Sequence, residues 1–309
     1  MGSLRRIGLV GSERAYCPGM GIPVILDTDN SFGLPGSDVG DGLALMCLLG
    51  SRTVDLLGVT TAFGAAPADV AYRETRRLLA LLDREEVPVF HGAPWPGYRA
   101  TEAAHFLAKS ARARPGELTI VATGPLANLA AASEVSRTFF PELGRVICAG
   151  GSIGKVRVGW RRVREHAFSL DPAAAHAVLG SRRPVAVLSA EICAQSVWRP
   201  RDFAQIAWPV WARRAVREWM YRAIIRGGSL RLPLWDVRPA AYLLRPQLFE
   251  DRTRSCISTT NDLARGSLRL AERASGGAVN VPVRIRSAEA LRAQLLELLD
   301  AAMARAPRG

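Results

Sequence analysis

The sequence predicts an α/β domain, a mainly parallel sheet with helices on both faces, and three observations carry that prediction. Short apolar runs bounded by turn residues alternate with longer runs of helical periodicity over most of the 309 residues. The short runs are apolar throughout rather than alternating, the pattern of strands buried on both faces. No internal repeat, low-complexity linker or shift in composition divides the chain, so residues 21–309 read as one domain behind a loose N-terminal arm, residues 1–20.

Taken in order, "PVILDTD" reads as the first strand, "GLALMCLLGS" as a helix, "VDLLGVTTAFG" as a strand, "ADVAYRETRRLLALLD" as an amphipathic helix and "VPVFHG" as a strand. Strand and helix patterns continue through "LTIVATG", "LANLAAASEVS", "RVICAGG", "PAAAHAVLGS" and "PVAVLSAEI". This succession is the mark of a parallel sheet with crossover helices. The stretch 197–235, rich in Trp and Arg, reads as helices packed over one end of the sheet, placed to serve as a lid.

Composition narrows the function. With 49% hydrophobic residues the chain can bury a core, yet its longest apolar runs fall short of the roughly 18 residues that span a bilayer. The apolar run near the N-terminus is too short for the core of a signal peptide. A cytoplasmic protein with no membrane partner is expected. The five cysteines are scattered, odd in number and never in a CxxC pair, which argues against a disulfide framework and a zinc site. The net charge of +13 comes almost wholly from arginine: of 41 basic residues only Lys109 and Lys155 are lysines. That skew, with abundant alanine, fits a GC-rich genome, and no recognition motif accompanies it. No nucleic-acid partner is expected.

The stretch "PVILDTDNSFGLPGSDVGDGLALMCLLG" places Asp27, Asp29, Asp38 and Asp41 within fifteen residues. Asp27 and Asp29 end the first strand two residues apart and so project to the same side. Asp41 starts a helix, Asp236 opens another in "LWDVRPAAYLL" with Pro239 in its first turn, and Thr123 ends the strand "LTIVAT". Ligands in open α/β sheets lie outside the carboxyl ends of the strands, which is where these residues fall. Singly, Asp41 and Asp236 read as helix caps and Asp38 as a solvated loop acid. Together they form an all-oxygen set without His or Cys, which suits a hard cation such as Ca²⁺.

These residues also carry a resemblance. "DTDNSFGLPGSDVGDGLAL" resembles the opening motif of the inosine-uridine preferring nucleoside hydrolase family, in which "DTD" and a short turn precede "DVDDALAL". The likeness continues in order through "GVTTAFG", "IVATGPLANLA", "VICAGG", "EHAFSLDPAAAHAVL" and "LWDVRPAAYLLRP", from about residue 22 to the end. It implies a nucleoside hydrolase-like fold and Ca²⁺ held by Asp29, Asp41, Asp236 and the main-chain carbonyl of Thr123. It implies Asp29 as general base, Asp27 as support behind the ligands and Glu165 on the 5′ side of the sugar. A homodimer or homotetramer acting on a small-molecule substrate is the corresponding assembly.

The sugar side departs from the family. Gly40 stands where an aspartate reads the ribose 2′-hydroxyl, Ala65 and Ala167 stand where asparagines are usual, and Gly159 or Trp160 takes another asparagine's place. Trp235 stands where many members have a histidine, and is expected to stack on the ligand. About five extra residues lengthen the loop around "SFGLPG", and the loop before Glu165 carries Lys155, Arg157, Arg161, Arg162 and Arg164. Arg161 and Arg164 are the candidates to meet an anionic group. The leading expectation is thus a calcium-dependent hydrolase of an N-glycosidic or related bond in an atypical, anionic, ribosyl-like substrate. The alternatives are a tailoring enzyme of secondary metabolism that uses the Ca²⁺ site for non-hydrolytic chemistry, and a catalytically silent relative that only binds a ligand.

Overall fold

The computed structural model describes residues 21–272 and 277–304; the N-terminal arm assigned to residues 1–20 lies outside the described residues. In chain order come β1 (Ile22–Thr28), α1 (Gly40–Gly50), β2 (Val54–Thr61), α2 (Ala68–Leu81), β3 (Val89–Phe90), α3 (Glu102–Ala113), β4 (Thr119–Ala122), α4 (Ala127–Val135), α5 (Phe139–Glu142) and β5 (Arg145–Ala149). A hairpin of β6 (Arg157–Val158) and β7 (Arg161–Arg162) leads to α6 (Ala167–Leu170), α7 (Pro172–Leu179), β8 (Val185–Leu188) and α8 (Ala190–Gln195). Then follow β9 (Val197–Trp198), α9 (Pro200–Phe203), α10 (Val210–Gly227), β10 (Leu232–Pro233) and α11 (Val237–Leu244). The chain finishes with β11 (Phe249–Glu250), β12 (Thr253–Cys256), α12 (Thr260–Ala264), β13 (Leu270–Ala271), β14 (Ala278–Asn280), β15 (Arg284–Ile285) and α13 (Ala288–Met303).

The main sheet runs β13-β12-β14-β8-β5-β4-β1-β2-β3. From β14 to β3 every pairing is parallel, and β12 and β13 close one edge antiparallel. The expected mainly parallel sheet is therefore present. β1 lies between β2 and β4, and Asp27 stands level with Thr60 on one side and Ala122 on the other. Alternation along β1 divides the core. Val24 and Leu26 pack with α1, α11 and α13, whereas Ile25 packs on the other face with α3, α4 and α7. Helices therefore cover both faces. Among the described residues no helix is long and apolar enough to cross a membrane, and Cys47, Cys148 and Cys193 are buried free thiols.

Helix α1 is apolar all round because it is buried all round, from Gly40 to Leu49. It is wedged between the sheet, α11 and α13, so the residue at its end must be small. A Cβ on Gly50 would lie 2.0 Å from the carbonyl oxygen of Leu298 in α13. Backbone cannot give way as a flexible side chain can. Gly50→Ala is expected to lower the unfolding free energy by about 1–3 kcal/mol, the usual cost of overpacking. Urea unfolding followed by circular dichroism measures it, and an unchanged midpoint would show slack between α1 and α13.

Candidate active site at the carboxyl edge of the sheet

The ends of β1, β4, β5 and β8 and the starts of α1 and α11 surround a cavity of about 290 Å³. Asp29, Asp38, Asp41, Thr123 and Asp236 line one part of it, and Ala65, Ala167, Glu165, Arg164 and Trp235 line the rest. The structure thus brings together every sequence-predicted site residue except Asp27, Gly40 and Arg161. Asp27 lies beneath, Gly40 is buried beside Asp236, and Arg161 faces a neighbouring cleft.

Asp27 anchors the group from below. Its Oδ1 accepts hydrogen bonds from Thr60 Oγ1 at 2.6 Å and Asn128 Nδ2 at 2.8 Å, while Oδ2 has no partner. Complete burial pushes its pKa up to about 7, against the pull of those two bonds. Asn128 also donates to the carbonyl of Thr61 and accepts from Ala93 N–H, so one amide ties β1, β2 and the segment after β3 together. Asp41 accepts from Thr28 Oγ1 at 2.7 Å, and burial raises its pKa to about 6. Asp29 accepts from Ala65 N–H at 2.6 Å. Its carboxyl sits well above the usual range, first through burial and then through repulsion by Asp41. Asp236 is raised by desolvation and by repulsion from Asp41, Asp38 and Asp29 in turn.

Four carboxylates therefore share one electrostatic neighbourhood, and among the described residues none of them has an ion-pair partner. Among those residues no three of His, Cys, Asp and Glu form a ready-made metal cage. The fit to a hard cation rests on the donor set: oxygen ligands only, drawn together at strand ends without a counter-charge. The cap readings fail for both helix-start acids. Asp236 occupies the N-cap of α11 without making a side-chain cap bond, and Asp41 is held by Thr28.

One further expectation changes. Asp38 is no solvated loop acid: half-buried, it accepts from Gly40 N–H at 2.6 Å and from Trp219 Nε1 at 3.2 Å, and its carboxylate faces the cavity. Two ring and backbone donors fold it inward, and neither could be located from the sequence. Glu165 lines the cavity, but its Oε1 accepts from Phe168 N–H at 2.7 Å and its Oε2 from Ser169 N–H at 3.1 Å. Its carboxylate thus secures the start of α6. Thr28, Thr60 and Asn128 were missed as supports, although Asn128 stands inside the quoted "GPLANLA".

Small residues make the acid pocket possible. A Cβ at Gly64 would lie 2.0 Å from Asp29 Oδ2, and one at Gly40 would lie 2.5 Å from Asp236 Oδ2 and 3.0 Å from Asp38 Oδ1. The space of a side chain at position 40 is occupied by its acidic neighbours.

An open, mainly parallel α/β sheet with carboxylates gathered at the strand ends places a binding cavity where such folds hold their ligands. The family model for inosine-uridine preferring nucleoside hydrolase matches residues 24–294, and the chain belongs to that family. It is a glycosidic-bond hydrolase. It is 28% identical over 284 residues to the pyrimidine-specific ribonucleoside hydrolase RihA of Shewanella sp. (strain MR-7), covering 80% of this chain and 86% of that protein. It is 29% identical over 280 residues to RihA of Shewanella baltica (strain OS185), covering 79% and 84%. The fold is similar to that of the plant nucleoside hydrolase PpNRh1, with a TM-score of 0.79 at 22% identity over 90% of this chain and 98% of that one. It is equally similar to the purine-preferring ribonucleoside hydrolase from Gardnerella vaginalis, with a TM-score of 0.79 at 19% identity over 91% and 99%.

The crowding at position 40 makes a prediction. Gly40→Asp should not restore a sugar contact; it should lower the thermal midpoint, because a fifth charge enters a cluster with no room for it. Differential scanning fluorimetry beside an inosine assay reads both. A variant as stable as the parent and faster on inosine would show that Asp38 and Asp236 move aside.

Proposed function

We propose that the protein is a calcium-dependent hydrolase of the N-glycosidic bond in an atypical, anionic, ribosyl-like substrate. The observation that carries this reading is the set of four carboxylates turned into one cavity without an ion-pair partner among the described residues. Asp29, Asp41, Asp236 and the carbonyl of Thr123 would hold the ion. When bound, Ca²⁺ supplies the positive charge that offsets the mutual repulsion and makes a nearby water more acidic.

The chain's own residues divide the remaining work. Asp29 is the general base, its carboxylate fixed by the Ala65 amide so that one oxygen is oriented and the other is free to take a proton from the attacking water. Asp27, locked by Thr60 and Asn128, fixes the strand end that presents Asp29. Trp235, half-buried in the cavity wall, offers a flat apolar face for the leaving group or an aromatic part of it. The relatives are named for ribonucleosides, but Gly40, Ala65 and Ala167 offer no side-chain hydrogen bonds to ribose hydroxyls. Each such contact is worth about 1–3 kcal/mol, so ordinary nucleosides should be poor substrates. Arg164, exposed at the cavity wall, supports an anionic substrate.

Calorimetry on chelator-stripped protein tests the metal: one Ca²⁺ per chain should bind, and Asp29→Ala should abolish binding. Absence of Ca²⁺ binding would remove this reading. Asp29→Asn should lower kcat by about 10²–10⁴-fold, the usual share of a general base. Mass spectrometry of products separates hydrolysis from the alternative use of the same site: solvent ¹⁸O in the released sugar marks hydrolysis.

A further inference from the structure

A second chamber of about 330 Å³ opens beside the acid-lined cavity, and the two share Asp38, Val163, Arg164 and Trp235 as common walls. A molecule seated against Trp235 can therefore reach into both. The charge of the second chamber is opposite to that of the first. Arg161 and Arg162 come from the β6–β7 hairpin, Arg164 from the segment after it, Arg226 from the last turn of α10, and Arg231 from the residue before β10.

Among the described residues none of these five guanidinium groups makes an ion pair, whereas Arg73, Arg84, Arg99, Arg214 and Arg284 elsewhere each pair with an acid. The one acid in the wall is Asp38, already engaged by Gly40 N–H and Trp219 Nε1. Five like charges gathered about one cleft repel one another, and an anion placed among them relieves that repulsion. The grouping is also built rather than incidental. The hairpin is docked on the end of α10: a Cβ on Gly228 would strike the Trp160 ring at 1.5 Å, and one on Gly159 would meet the Gly227 carbonyl at 2.0 Å. Arg157 donates to the Trp160 carbonyl at the hairpin tip. Arginines far apart in sequence are thus fixed around one space.

We propose that this chamber, which Asp29, Asp41 and Asp236 do not line, binds a phosphate group carried by the substrate. A phosphate monoester brings a charge of about −1.5 to −2 and three acceptor oxygens, which planar guanidinium forks engage in parallel hydrogen bonds. The hydrolase reading is needed only to place the phosphate and the scissile bond on one molecule. The arginine side chains are exposed, so binding falls as salt rises.

The test uses the whole protein and the double variant Arg226→Ala, Arg231→Ala, residues apart from the acid-lined cavity and with no ion-pair partner to lose. Chelator-treated protein is titrated calorimetrically with inorganic phosphate, pyrophosphate and acetate at low and moderate salt. Phosphate and pyrophosphate should bind, acetate should bind more weakly, and the double variant should lose about tenfold in affinity at an unchanged thermal midpoint. In Ca²⁺-loaded protein, kcat/KM for a nucleoside 5′-monophosphate should exceed that for the nucleoside, and the double variant should lower only the former. No phosphate binding, equal binding by the double variant, or acetate as good as phosphate would each overturn the proposal. Phosphate binding without cleavage of any nucleoside or nucleotide would leave the chamber standing and sink the hydrolase reading, so the two fail separately.

Discussion

The carboxyl edge depends on one constraint: like charges must be held together where little water can separate them. Two unit charges about 4 Å apart repel by about 4 kcal/mol at the effective dielectric of a protein surface, more than one ordinary hydrogen bond returns. The chain meets this cost with rigid donors. Thr60 and Asn128 hold Asp27, Thr28 holds Asp41, and the Ala65 amide holds Asp29. Each donor sits on or next to a buried strand or helix, so the rigidity of the parallel sheet passes to the acids. The sheet's strongest packing and its worst electrostatics therefore occur at the same strand end. Such a placement of uncompensated charge marks a functional site rather than a stabilising one.

The same edge shapes the pocket. Gly40, Ala65 and Ala167 offer no side-chain hydrogen bonds, while Asp38 turns inward into space that a side chain at position 40 would need. On the other wall, Trp235 separates an acidic cavity from a basic cleft. A ligand spanning the two meets a steep change of potential across one indole ring, which favours a molecule polarised in the same sense.

Much of this was legible in the sequence. Strands buried on both faces need continuous apolar runs, and helices between them need periodic ones, so "PVILDTD", "LTIVATG" and "PVAVLSAEI" could be placed without coordinates. Asp29, Asp41, Thr123 and Asp236 could be placed at strand ends and helix starts because the apolar runs stop there, and all four line one cavity. Asp38 was misread because its partners, Trp219 and the Gly40 amide, depend on how α10 lies over the loop. The hold of the Phe168 and Ser169 amides on Glu165 is a matter of local geometry that the sequence does not display. Arg226 and Arg231 carried no signal, as their meeting with Arg161 exists only through the hairpin's docking. The short antiparallel strands β12 and β13 hold four and two residues, below what periodicity resolves.

The close seating of α1 against α13 also sets the order in which the protein can mature. Asp41 is presented by α1, and that helix packs against residues 288–303, which come within backbone contact at Gly50 and Leu298. During synthesis the first strand and its acids emerge long before their cover does. Until that late helix docks, the apolar flank of α1 stays open to water and to other chains, the exposure that makes long-range contacts slow to form and prone to aggregation. The helix that presents Asp41 is thus encoded early and covered late, and a ribosome paused before residue 288 would carry a nascent chain with the apolar flank of α1 still open.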